Sequence, residues 1–214
     1  MRHRKGEVKN RMKDKERLSG RDFNQCVKFH GHICPGLAIG FRAARILMGR
    51  LDVRRAPDEE WVAIVETDAC GVDAIQVMTG CTFGKGNFIF RDYGKNAFSL
   101  VGRKRKRGVR VCLRPDRFKT VPEFFSLFEK IQNNEATSIE LERFRQLQME
   151  RTKKILDADP ESLFKIEEIS PEIPPKARVI ESGICDFCGE PTKMDLLRQR
   201  NGQQICILCD HQPK

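Results

Sequence analysis

Histidine and cysteine side chains are concentrated in one short segment. The sequence FHGHICPG places His30, His32 and Cys34 at alternating positions, in a segment that also contains Gly31 and Gly36. Alternate side chains of an extended segment point to the same side, so one metal ion could contact two or three of these groups. We expect His32 and Cys34 to be the first ligands of a core metal site, with His30 as a further ligand. The alternative for His30 is a core-facing position on a preceding helix.

Two further cysteines lie at the ends of a short helix predicted over residues 72–79. Cys70 precedes this helix, at the carboxyl end of a buried strand predicted over residues 61–67, and Cys81 follows it. Because sites on mixed α/β scaffolds gather at strand ends, both are candidate metal ligands, and Cys34 and Cys70 are candidate catalytic thiols. A helix N-terminus lowers the pKa of a thiol, and we expect that effect at Cys34. Alternatively, Cys70 and Cys81 are small buried hydrophobic residues.

Three charged residues near these cysteines are candidates for catalytic roles. Asp68 and Asp73 flank Cys70 and could act as acid, base or orienting partner of a metal ligand, although such aspartates more often cap the following helix. Lys85 stands between glycines in the loop CTFGKGN and could meet an anionic substrate, or be a plain turn lysine. The loop lacks the spacing of a P-loop, so nucleotide binding by that mechanism is not expected.

The C-terminal segment contains two Cys-x-x-Cys pairs. They are Cys185 with Cys188 and Cys206 with Cys209. This pattern predicts tetrahedral coordination of one Zn²⁺ by four thiolates, with rubredoxin-like iron as the alternative. Residues 183–214 are too few to bury a core without help, so we expect the ion to stabilise their fold. A closed four-thiolate site has no position for a substrate and is therefore structural.

Composition limits the class of protein. The 214 residues include nine cysteines, and 40 Lys and Arg against 30 Asp and Glu give a net charge of +10. Neither an apolar run long enough to span a membrane nor a secretory signal is present, so we expect a cytoplasmic protein with reduced thiols and no membrane partner. The basic excess lies mainly in residues 1–17 and 103–117. Nucleic-acid binding through RKRKR at residues 103–107 is an alternative that we do not favour.

The order of patterns predicts four regions and an α+β fold. These are a basic disordered tail (1–18), a core of mixed helices and antiparallel strands (19–168), a Pro-rich linker (169–182) and a treble-clef or zinc-ribbon-like zinc finger (183–214). Helices are expected over 19–30, 35–51, 72–79, 122–133 and 138–156, strands over 61–67, 88–91, 96–101 and 109–113, a hairpin turn over 92–95, and a turn or short helix over 160–164. Gly36 and Gly40 predict close packing of another backbone against the second helix.

Three blocks of sequence together resemble the E-subunit family of formylmethanofuran dehydrogenase. They are FHGHICPGLAIGFRAA, VETDACGVDAIQVMTGCTFGKGN and FRDYGKNAF. The resemblance covers about residues 22–115, and a C-terminal zinc finger is an attachment seen in that family. It implies an α+β core, a homodimer, and a metal site drawing on the HxHxC and Cys70 blocks. It also implies a link to the methanogenesis-related molybdenum or tungsten enzyme that reduces carbon dioxide onto methanofuran.

Together, the residues and the resemblance predict a metal-binding protein. We expect a second transition metal, Zn²⁺ by preference, in the core, serving a small-molecule substrate or a redox or accessory role. The chain has no visible motif for a pterin cofactor or an iron–sulfur relay, so we expect a subunit or accessory protein of a larger oxidoreductase complex. The alternatives are a nucleic-acid-binding or protein-binding zinc-finger module and a metal or cofactor delivery protein.

Overall fold

The structure is a computed structural model. It describes residues 20–104, 106–115, 121–173, 175–176 and 179–211. The predicted basic tail and the first residue of the predicted first helix, Ser19, lie outside these residues. The chain divides into two compact units, Met1–Lys176 and Ala177–Lys214. The division falls inside the segment predicted as a Pro-rich linker.

The first unit combines helices with one five-stranded sheet, and the predicted α+β class is confirmed. Its helices are α1 (Gly20–His30), α2 (Pro35–Leu51), α3 (Gly71–Thr79), α4 (Pro122–Gln132), α5 (Ser138–Asp157) and α6 (Pro160–Leu163), and its strands are β1 (Trp61–Val65), β2 (Phe88–Phe90), β3 (Ala97–Gly102), β4 (Gly108–Leu113) and β5 (Phe164–Ile169). Proline at the first position of α2 and a Thr137–Glu140 capping box before α5 explain why these two helices begin where they do.

The sheet has the strand order β2-β1-β3-β4-β5, in which β1 and β2 are parallel and the other pairs are antiparallel. The predicted hairpin over residues 92–95 is therefore wrong, because β2 and β3 lie on opposite sides of β1. Residues 91–96 instead cross the end of β1, where Arg91 N–H donates to Val65 at 2.9 Å and Glu66 N–H donates to Ala97 at 3.0 Å. An almost entirely apolar β1 gains more by pairing along both edges than by lying at the margin of the sheet.

Strand β5 was not predicted. It lies at the edge of the sheet and pairs with β4, from Leu113 opposite Phe164 to Gly108 opposite Ile169. Half of its six residues are charged, namely Lys165, Glu167 and Glu168. Charged side chains protect an exposed strand edge from pairing with other chains, but they also weaken the hydrophobic pattern by which a strand is recognised.

The hydrophobic core places helices α2 and α3 against one face of the sheet. Leu37, Leu47, Ile75 and Phe98 are completely buried within it. The two helices approach so closely that a Cβ atom on Gly40 would lie 2.0 Å from the carbonyl oxygen of Gly71. The close packing predicted from the glycines of α2 is confirmed, and it brings the N-terminal ends of α2 and α3 together.

The second unit contains two β-hairpins and a short helix. Its elements are β6 (Ser182–Ile184), β7 (Pro191–Lys193), β8 (Leu197–Arg200), β9 (Gln203–Cys206) and α7 (Ile207–Asp210). Strand β6 pairs with β7 and β8 pairs with β9, both antiparallel. This arrangement fits the predicted zinc-ribbon-like end of the chain.

A bilayer requires a long, continuously apolar helix. Within the part of the chain that the structure describes, no helix is both long enough and apolar enough to cross a membrane.

Candidate metal centres

The first candidate centre lies in the connection between α1 and α2. His30 is the last residue of α1, which ends because Gly31 adopts a φ of 95° and donates its N–H to Val27 at 2.8 Å. His32 and Cys34 follow in the connection. One ligand atom of each of these three residues lies within 4.8 Å of the other two. The structure thus brings together the three groups of the HxHxC motif.

His30 is held by a carboxylate from another helix. Its Nδ1 donates to Oδ2 of Asp73 in α3 at 2.7 Å, and its Nε2 lies 3.8 Å from Sγ of Cys34. The His30 side chain is 11% exposed. A carboxylate on one ring nitrogen fixes the tautomer and aims the other nitrogen at a metal, which is the usual arrangement behind a ligating histidine. Asp68, the other candidate aspartate, is exposed.

Cys34 is buried and occupies the N-cap position of α2. Its Sγ accepts a hydrogen bond from the backbone N–H of Leu37 at 3.3 Å. The pKa of Cys34 is nevertheless raised, first because burial disfavours the thiolate and further because Cys70 lies close by. The lowering expected from the helix position is wrong for the metal-free thiol, since desolvation outweighs the N–H donor. A coordinated cation reverses this preference, because coordinated thiols lose their proton.

Cys70 borders this cluster without belonging to the three-residue group. It occupies the N-cap position of α3, and its side chain makes no capping hydrogen bond. A Cβ atom on Gly36 would lie 3.7 Å from Sγ of Cys70 and 3.9 Å from Sγ of Cys34. Both sulfur atoms therefore face the small space that Gly36 leaves open. The sequence motifs singled out both cysteines but gave no indication of this shared space.

Two other predicted site residues have local partners in the fold. Cys81 lies beyond the C-terminal end of α3, is completely buried, and donates from Sγ to the carbonyl of Trp61 at 3.4 Å. Burial raises the pKa of its thiol. Nζ of Lys85 donates to the carbonyl oxygens of Ala56 and Asp58 at 3.5 and 3.3 Å. The structure does not bring these two side chains together with the HxHxC group.

The second candidate centre consists of the four cysteines of the C-terminal unit. One ligand atom of each lies within 4.8 Å of the others, and the Sγ atoms of Cys188 and Cys206 are 4.0 Å apart. The N–H of Cys206 donates to Sγ of Cys185 at 3.3 Å, and this bond is the main reason that the pKa of Cys185 falls to about 6. Among the described residues, no other group of three or more His, Cys, Asp or Glu side chains is similarly placed.

Two hydrogen bonds between Asp186 and Gln204 help to position the cysteines of the second centre. Asp186 accepts from the N–H of Gln204 through Oδ2 at 2.7 Å, and its own N–H donates to the Gln204 carbonyl at 2.8 Å. Asp186 follows Cys185 directly, so these bonds join the first Cys-x-x-Cys turn to β9. The Cys-x-x-Cys spacing alone did not single out Asp186.

The basic loop considered for nucleic-acid binding is partly neutralised. Arg103 forms an ion pair with Glu59 at 3.4 Å, and Arg107 forms one with Glu168 at 2.9 Å. Arg105 lies outside the described residues. Ion pairs at two of the five basic positions reduce the positive charge that this loop can present to a phosphate backbone.

Comparison with known proteins links the first unit to one family. The model of the family described as "FmdE, Molybdenum formylmethanofuran dehydrogenase operon" matches residues 29–165, which include the whole HxHxC group and Asp73. The "Probable S-adenosyl-L-methionine-binding protein" of Archaeoglobus fulgidus is 36% identical over 189 residues, which cover 85% of this chain and 50% of that protein. The chain therefore spans about half the length of this relative.

A solved structure with a similar fold comes from Syntrophus aciditrophicus. It is an FmdE-like protein, named after the E subunit of tungsten formylmethanofuran dehydrogenase. The two structures superpose with a TM-score of 0.59 at 26% sequence identity, covering 88% of this chain and 89% of the other. The similarity extends over most of both chains.

Proposed function

Because the chain belongs to the FmdE family, we propose that it is a metal-binding protein with two chemically distinct sites. The core site would bind one transition-metal ion through His30, His32 and Cys34. The C-terminal site would bind Zn²⁺ through its four cysteines and serve the fold of that unit. The observation that carries this proposal is the hydrogen bond from His30 to Asp73 at 2.7 Å, behind three ligand atoms that lie within 4.8 Å of one another.

The donor set of the core site favours zinc or a similar borderline metal. Two imidazoles and one thiolate suit Zn²⁺, and three protein ligands leave a position open for water or a small substrate. When bound, such an ion would supply Lewis-acid chemistry. The protein orients His30 through the hydrogen bond that its Nδ1–H donates to Asp73. It also buries Cys34 and leaves His32 exposed at the surface.

We infer an accessory role next to a larger oxidoreductase of the formylmethanofuran dehydrogenase type. Family membership supports this inference. In addition, the described residues of the core include no group of cysteines that could carry an iron–sulfur cluster.

We also propose that the chain forms the homodimer that the family resemblance implies. Light scattering on the purified protein should then give twice the chain mass of 24.7 kDa, and a monomer would contradict this part.

Metal analysis of the whole 214-residue chain tests the two-site proposal. We expect about two equivalents of metal per chain in the wild type, one in His30→Ala/Cys34→Ser and one in Cys188→Ser. Cys112→Ser is the matched control, because Cys112 is a half-buried strand residue outside both clusters. Each variant is first checked for wild-type thermal unfolding of the core. Unchanged metal content in a folded His30→Ala/Cys34→Ser variant would contradict the core site.

A further inference from the structure

Two free thiols, those of Cys34 and Cys70, border the same small space beside Gly36. Cys34 lies at the N-cap of α2 and Cys70 at the N-cap of α3. Both Sγ atoms lie within 4 Å of the position that a Cβ atom on residue 36 would take. Because residue 36 is a glycine, no side chain of that residue occupies the space next to the two sulfur atoms.

The contact between α2 and α3 fixes the approach of the two thiols. Gly40 in α2 touches the backbone of Gly71, which directly follows Cys70. A Cβ atom on Gly36 would also lie 3.1 Å from Cβ of Cys70, which is a tight contact. Three glycines therefore bring together two cysteines that are far apart in the sequence.

We propose that Cys34 and Cys70 form a reversible thiol–disulfide pair that controls metal occupancy of the core site. The proposal rests on the proposed function, since Cys34 is also a ligand of the core metal. A metal ligand must be a thiolate, and a sulfur atom in a disulfide has no negative charge to donate. The disulfide and the metal-bound site are therefore mutually exclusive states of the same residues.

Hydrogen peroxide is the oxidant, and the disulfide forms in two displacements. The Cys70 thiolate is the more exposed of the pair and attacks one oxygen of hydrogen peroxide; the O–O bond breaks, and hydroxide leaves. The Cys34 thiolate then attacks the resulting sulfenic sulfur, the S–O bond breaks, and a second hydroxide leaves. The two hydroxides take up the two thiol protons as water. The thiols lose two electrons, and the peroxide gains them.

Peptide mapping of the 214-residue chain tests this pair. The reduced protein, loaded with zinc, is treated with hydrogen peroxide, the remaining thiols are alkylated, and the protein is digested without reductant. We expect a cross-linked peptide that joins Cys34 to Cys70, loss of the core equivalent of zinc, and recovery of both thiols after dithiothreitol. Mapping is essential because seven other free cysteines, four of them in the C-terminal unit, are present. Cys112→Ser is expected to form the same cross-link, whereas Cys70→Ser is not.

The outcomes separate this inference from the proposed function. Alkylated Cys34 and Cys70 in a sample whose C-terminal cysteines have been oxidised would overturn the redox pair. Zinc analysis before oxidation tests the core site independently: a core that never binds zinc contradicts the proposed function, even if the cross-link forms. A zinc-loaded core whose two thiols never cross-link contradicts only the redox pair.

Discussion

Asp73 accepts a hydrogen bond from Nδ1 of His30 at 2.7 Å, although 43 positions separate the two residues in the sequence. The contact joins the last residue of α1 to the first turn of α3. The proton on Nδ1 therefore points to Asp73, and Nε2 points toward Cys34. The orientation of one candidate metal ligand thus depends on a carboxylate from a different block of the sequence.

Replacement of this carboxylate should weaken the core metal site without emptying it. Asp73→Asn replaces the carboxylate that accepts the imidazole N–H with a neutral amide. We expect the affinity of the core site for metal to fall about 10- to 100-fold. Asp68→Asn is the matched control, because Asp68 is exposed and lies nearby in the sequence. Competition titration with a chromogenic chelator measures the change. Equal affinities of the two variants would contradict the orienting role of Asp73.

The backbone contact between α2 and α3 should be the most sensitive point of the scaffold. In Gly40→Ala, the new Cβ atom would lie 2.0 Å from the carbonyl oxygen of Gly71, so the helices must separate. We expect a loss of about 3 kcal/mol in the free energy of unfolding, together with weaker core metal binding. Urea denaturation and metal titration of the same sample measure the two effects.

Gly49 provides the control within the same helix. A Cβ atom on this residue would meet nothing within 4 Å, and alanine favours a helix over glycine by about 1 kcal/mol. Gly49→Ala should therefore leave stability unchanged or increase it. A similar loss of stability in both variants would show that the contact with Gly71 does not govern the response.

Local patterns predicted the helices and the HxHxC group well. Pro35 and the apolar periodicity that follows it define α2, and the alternation of His30, His32 and Cys34 was sufficient to propose a common site. The partner of His30 was harder to predict. Asp73 was a candidate orienting residue, but its contact with His30 depends on how α1 and α3 pack. No spacing rule encodes that packing angle, because side chains far apart in the sequence determine it.

Local sequence patterns also did not predict the order of the strands in the sheet. The sequence DYGK at residues 92–95 has the composition of a hairpin turn, yet its flanking strands pair with opposite edges of β1. Which strand lies in the middle of a sheet depends on the burial of both its faces and the pairing of both its edges, and β1 satisfies these conditions with four buried residues, Val62–Val65. The shared space beside Gly36 is likewise a product of tertiary packing.

An ion pair on the sheet should make the stability of the core dependent on pH. Arg110 donates to both carboxylate oxygens of Glu66, from Nε at 2.6 Å and from Nη2 at 2.8 Å, and this hydrogen bonding lowers the pKa of Glu66 below its ordinary 4.5. A lowered pKa in the folded state contributes stability above the unfolded pKa, and this contribution disappears as the pH falls through the folded value. We therefore expect Glu66→Gln to lower the free energy of unfolding by about 2 kcal/mol at neutral pH.

The difference between wild type and Glu66→Gln should shrink as the pH falls below about 4.5, because protonation then removes the same charge from the wild type. Urea denaturation between neutral and acidic pH measures this. Glu168→Gln is the control: its pair with Arg107 is 70–78% exposed, and exposed pairs contribute little. A difference between wild type and Glu66→Gln that does not vary with pH would contradict the ionic origin of the effect.

Metal removal should unfold the C-terminal unit and leave the core folded. Between residues 179 and 211, the buried residues are Cys185 and Cys206, both candidate metal ligands, so this unit has no apolar core of its own. Structural zinc contributes on the order of 10 kcal/mol to such a fold. Treatment with a chelator should therefore abolish the hydrogen-exchange protection of the β8–β9 amides, and added zinc should restore it. The amides of β3, whose six residues are all buried, should stay protected throughout and serve as the internal control. Persistent protection of β8 and β9 in protein verified to be metal-free would show that this unit folds without the four-cysteine site.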